Sequence, residues 1–202
     1  MKKNFPLLIA IVLTSCATSY VPIEPESINY GSADSTKDVI FEYKYDVLEK
    51  KYGRKEKKKK IKLLSVKITN NTSKDFTLGK DYMLINDNKQ EILLLDSNQL
   101  YKPIKQNVAT YFLYLLLTPI KLFETKERNG FEEQEVIFPI GYVLGPGITA
   151  LNVIKASNGN SKLKKELEQY NLFNKTIKAG QTIHGILGFS AKNYSSLRIQ
   201  KK

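Results

Sequence analysis

The sequence predicts a mainly β fold: a β-sandwich broken by a mainly helical apolar insertion and preceded by a short signal helix. Three observations carry this expectation. Apolar and polar residues alternate with period two near both ends of the chain. Gly, Asn and Asp punctuate those stretches at short intervals, as the turns of a sandwich require. Two long apolar runs, residues 108–123 and 136–154, interrupt the alternation in the middle.

In chain order, Met1-Lys2-Lys3-Asn4 is a basic start, followed by an apolar run from Phe5 to Leu13 and a small-residue site before Cys16. That is the pattern of an export signal over residues 1–15. A spanning helix needs roughly 20 apolar residues, and this run is much shorter, with Pro6 near its start. Residues 16–37 are polar and carry Pro22, Pro25 and Gly31 without periodicity, which reads as a flexible tether. Residues 38–200 form the sandwich domain. Its first strand alternates Val39, Phe41, Tyr43, Tyr45 and Val47 with Ile40, Glu42, Lys44, Asp46 and Leu48. A lysine-rich turn through residues 50–60 leads to a second strand over 61–70, closed by Asn70-Asn71-Thr72-Ser73. Strands over 82–85 and 91–95 flank a hairpin turn at Asn86-Asp87-Asn88-Lys89. Near the far end, Ala179-Gly180 turns into a buried strand over 182–190, and residues 194–199 read as the last strand.

The insertion covers about residues 100–170. Its two apolar runs flank a charged stretch holding Glu124, Glu127, Glu132, Glu133 and Glu135, which reads as a solvated linker. A helix follows over 161–170, capped by Ser161, with Leu163 and Leu167 at i and i+4. Three roles for the apolar runs stay open. They pack as core or lid helices, they dip into a bilayer as a hairpin, or they form a patch for a protein partner. Gly141, Gly145 and Gly147 permit close helix approach, and Pro119, Pro139 and Pro146 suit short or re-entrant segments.

Leu13-Thr14-Ser15-Cys16 resembles the lipobox of bacterial lipoproteins. The resemblance implies that Cys16 is lipidated and becomes the first residue of a mature chain held in the cell envelope. Ala17 follows where some bacteria read aspartate as an inner-membrane retention signal, so the outer membrane is the expected destination. The strand ending Ile68-Thr69-Asn70-Asn71-Thr72, the hairpin near Asn86-Asp87 and the strand Gly185-Ile186-Leu187-Gly188-Phe189 look like immunoglobulin-like domains of small bacterial lipoproteins. Such domains bind or scaffold.

The chemistry-bearing residues are sparse. With a single cysteine, no disulfide forms within the chain. His184 is the one histidine; a metal site needs further His or Cys partners, so neither metal nor cofactor is expected. There is no Gly-x-Ser-x-Gly elbow and no phosphate loop, and enzyme activity is not expected. The net charge is +12, and losing Lys2 and Lys3 with the leader leaves about +10. The densest basic run, Arg54, Lys55 and Lys57 to Lys60, is the candidate contact for a membrane or anionic surface; nucleic acid is not an expected partner of an exported protein. The reading is a non-enzymatic, lipid-anchored envelope lipoprotein that binds or scaffolds an envelope protein partner. The alternative is a membrane-contacting protein working through 108–123 and 136–154.

Overall fold

The computed structural model describes residues 16–36, 38–128 and 130–202. The expected signal segment, residues 1–15, lies outside them. The chain divides into two compact units, Met1–Ser19 with Gln106–Gly159, and Tyr20–Lys105 with Asn160–Lys202.

Unit 2 holds most of the strands. β1 (Ser32–Ser35), β2 (Val39–Lys44), β3 (Ile61–Asn70) and β10 (Thr182–Ser190) form an antiparallel sheet in the order β1-β2-β3-β10. Val39, Phe41 and Tyr43 of β2 point into the core, as their alternation demands. β3 is central, and all but two of its residues are buried. A second sheet runs β11-β5-β6, from Arg198–Lys201, Tyr82–Ile85 and Glu91–Ile92. Its hairpin closes where the Asn86 side chain accepts from the Asn88 and Gln90 amides at 2.9 and 3.0 Å. β4 (Phe76–Thr77) pairs with β9 (Thr176–Ile177).

Helices fill the rest of unit 2. α1 (Lys50–Lys59) joins β2 to β3, and α2 (Ser97–Ile104) opens with a capping box in which Asp96 and Gln99 satisfy each other's backbone amides. Leu163 and Leu167, on the later turns of α3 (Gly141–Tyr170), share a core with Tyr52, Leu63, Leu100 and Ile104. Leu100 Cδ2 lies where a β-carbon on Gly188 would sit, so any larger residue there would have to displace the buried Leu100 side chain.

In unit 1 a 3-10 segment (Val108–Leu117) leads to a hairpin of β7 (Leu122–Arg128) and β8 (Phe131–Phe138), then to the first turns of α3. Its buried cluster is small: Ala17, Tyr111, Tyr114 and Ala156.

This corrects the fold class. The chain is about one third helix and one third strand, in several small sheets that do not close as a sandwich, and it carries one long helix. Three local reasons account for the difference. Eight of residues 50–59 are straight-chain Lys, Arg or Glu, and with Tyr52 and Glu56 buried one turn apart the segment winds into α1 instead of turning, despite Gly53. Ser161 does not start a helix; it lies inside α3, which begins twenty residues earlier. The charged linker of the insertion is a β-hairpin, and Gly130, between its strands, has a φ of 78°. An Asn-Gly pair between strands is a strong hairpin signal.

Candidate membrane-contact site

Cys16 is half-buried in unit 1. The residues just after it, expected to begin a tether, are fastened. Ala17 is 3% exposed and its amide donates to Asn152 Oδ1 on α3. The Thr18 amide donates to Gln106 Oε1 at 3.1 Å, and Gln106 Nε2 returns a bond to the Thr18 carbonyl at 2.7 Å. Tyr111 donates its phenol to the same Gln106 oxygen at 2.9 Å. In unit 2, the Glu166 carboxylate accepts from the Tyr20 phenol and from the Ile23 and Glu24 amides, the latter two at 2.8 and 3.1 Å. Burial, then the Glu166 bond, push the Tyr20 phenol far above its usual range. The stretch from Ala17 to Glu24 is therefore held by side chains distant in sequence.

Apolar exposure is concentrated in unit 1. Every large hydrophobic residue of high exposure among the described residues, except Leu93 and Tyr194, falls between Phe112 and Ile154. β7 and β8 are exposed along their whole length. The glutamates of the insertion lie on this hairpin, where Lys126 sits 2.9 Å from Glu135 and 3.5 Å from Glu124. Gly141 and Gly145 allow α3 to approach the Leu117–Thr118 backbone and side chain, whereas Gly147 faces open space.

The basic run lies on α1. Arg54, Lys58 and Lys59 are exposed, and Lys60 ends the helix in the left-handed region with a φ of 56°. Lys57 pairs with Asp46 at 3.3 Å. Lys55 donates to the Lys105 carbonyl, and its ammonium pKa is lowered by burial and then by Lys59, Lys105 and Lys58. The fold thus adds Lys105, some fifty residues away, to the cluster; no local signal in the sequence points to it. Beneath these lysines Glu56 is buried. Its Oε1 accepts from the Leu63 amide at 2.8 Å while Oε2 has no partner, and burial raises its pKa to about 7.

His184 lies in β10 with Nδ1 3.4 Å from the Tyr30 phenol, a structural contact. An open cleft of about 550 Å³ is bordered by Asp75 and Asp81. Their carboxylates accept from the Ala179 and Thr77 amides at 2.9 and 2.7 Å, which gives them structural work. No group of three or more His, Cys, Asp or Glu is placed to hold a metal among the described residues. Likewise, no described helix is long and apolar enough to cross a membrane. Comparison of the chain with protein-family models, curated proteins and solved structures gives no match.

Proposed function

We propose that the protein is a non-enzymatic, lipid-anchored envelope lipoprotein, a binding or scaffolding module held close against its membrane. The observation that supports this reading is the fastening of the chain directly after Cys16, through Ala17, Thr18 and Asn152. Acyl chains on Cys16 would leave from the surface of unit 1 with no slack between anchor and domain. Each buried methylene adds about 0.8 kcal/mol of membrane affinity, so two or three chains make a stable anchor where one does not. The outer membrane is the proposed location, on the strength of Ala17 after the cysteine. The basic α1 surface is available to anionic headgroups or an acidic envelope partner.

The test is acyl labelling in cells with a palmitate analogue. Wild type takes up label and partitions into detergent, whereas Cys16→Ser loses both. Equal labelling of the two proteins would sink the anchor. Cross-linking of the wild type in membranes then identifies the partner, if the module is a scaffold.

A further inference from the structure

We infer that unit 1 carries a second, protein-borne membrane attachment: its apolar exterior sinks into the interface of a phospholipid leaflet. The inference goes beyond lipidation and takes from that reading only its choice of lipid as occupant.

Unit 1 is built inside out. On the first turns of α3 the buried stripe reads Gly141, Gly145, Thr149, Asn152 and Ala156, at helical spacing. The outward positions include Tyr142 at 66%, Val143 at 62% and Leu151 at 71% exposure. A helix solvated by water does the reverse, with its apolar stripe inward. The 3-10 segment repeats the inversion. Tyr111 and Tyr114 turn inward, while Leu113 and Leu116 stand 66% and 74% exposed.

What lies inside suits hydrocarbon outside. Thr149 donates to the Gly145 carbonyl at 2.7 Å and Asn152 to the Ile148 carbonyl at 2.8 Å, so these hydroxyl and amide groups are satisfied internally. Small residues draw α3 against the 3-10 segment, the means by which helices associate where lipid removes the hydrophobic drive. Residues 108–120 and 136–154 carry no formal charge. The acids between them belong to the hairpin, whose charged part stays in water.

The seat is shallow. The outward apolar stretch of α3 runs over about a dozen residues, roughly 18 Å of helix at 1.5 Å per residue, against a hydrocarbon core of about 30 Å. It therefore lies in the plane of the interface instead of crossing. Lipid is favoured over a second copy because Cys16 belongs to this same unit and its neighbour Ala17 is bonded to Asn152 of the inverted helix.

The experiment uses the full mature chain carrying Cys16→Ser, which has neither an acyl chain nor another thiol. Single substitutions Leu116→Cys, Leu151→Cys and, in unit 2, Leu93→Cys take an environment-sensitive fluorophore. With neutral phosphatidylcholine vesicles, the probes at 116 and 151 shift to the blue and the probe at 93 does not, and high salt leaves this unchanged. In flotation, Leu113→Ser and Leu116→Ser each lower the partition coefficient about tenfold, the low end for removing a leucine side chain from an apolar phase. Circular dichroism confirms that each variant folds. Absence of a shift at 116 and 151 overturns the inference. So does self-association without lipid that protects both positions and abolishes vesicle binding, which would make a second copy the occupant. Labelling of wild type without vesicle binding by Cys16→Ser defeats the seat and leaves the anchor; the opposite result defeats the anchor and leaves the seat.

Discussion

Among single residues, Glu56 ties stability to pH. Its carboxyl is buried beside the Leu63 amide, with Asp46, Lys57 and Lys62 as the charges that act on it. Burial is the largest cause of the rise to about 7, opposed by the Leu63 bond; Asp46 adds to it, and the two lysines subtract. Because the folded chain holds this proton more tightly than the unfolded chain does, stability is fully present at low pH. It falls as pH climbs from the ordinary carboxylate range through about 7. Glu56→Gln removes the ionisable group while keeping an acceptor for Leu63. Urea melts should then show the variant more stable than wild type at pH 8, by about 3 kcal/mol at 1.36 kcal/mol per pKa unit, with little difference at pH 4. An equal difference at both pH values would contradict this. Tyr194, whose phenol donates to Asp46 at 2.6 Å, is itself pushed up to about 12, and Lys62 lies 3.6 Å from its ring centroid.

Among the elements, α3 carries two different packing logics. Its later turns bury Leu163 and Leu167 in an ordinary apolar core, while its first turns bury glycine and polar residues. Gly141 is the tightest point of the early half, since a β-carbon there would collide with the carbonyls of Leu117 and Thr118. Gly141→Ala is expected to push α3 off the 3-10 segment and cost about 1–3 kcal/mol, the usual penalty of overpacking. Gly147→Ala, facing open space, is expected to be neutral or slightly stabilising. Limited proteolysis within residues 118–140 would report the difference. Equal protection of the two variants would argue against close packing at Gly141. The β7–β8 hairpin is the weakest element by physical criteria, being a two-stranded ribbon exposed on every residue, with Glu124 opposite Glu135 and Glu127 opposite Glu132.

Across the whole molecule, charge and apolar exposure are segregated. Unit 2 holds 26 basic against 15 acidic residues, whereas residues 106–159 hold four against five. The basic excess therefore belongs to one unit and the apolar exterior to the other. Electrostatic attraction to anionic vesicles should follow unit 2. Replacing Lys57, Lys58, Lys59 and Lys60 by Gln is expected to weaken binding to phosphatidylglycerol vesicles at low salt, at about 1 kcal/mol per lysine near the surface. Binding to neutral vesicles should be untouched. Unchanged binding to anionic vesicles would leave the run as a solvated helix face that complements the α1 dipole.

Several parts of this architecture were legible in the chain alone. β2 follows from alternation, because a strand's period of two writes burial directly into the sequence, while β3 and β10, buried on both faces, follow from their apolar and β-branched runs bounded by turn residues. The hairpin at Asn86 follows from turn chemistry. Asn129-Gly130 also marked a hairpin, but the charges around it resembled a linker, and a ribbon exposed on both faces has no apolar side to reveal it. The mainly β expectation failed at α1 and α3. At α1 the lysine-rich run reads as a turn although Lys, Arg and Glu favour helix, and at α3 glycine-rich composition masks a helix that packing completes. By itself the sequence determined three strands of the main sheet, β2, β3 and β10, the positive charge and a lone cysteine at residue 16, whereas β1 lay in the stretch expected to be a tether. Only the tertiary structure decided which face of the runs 108–123 and 136–154 turns inward. An apolar run carries no marker for that choice; it is set by what packs against it, and here glycine, Tyr111, Gln106 and Asn152 take the inside and leave leucine and valine outside.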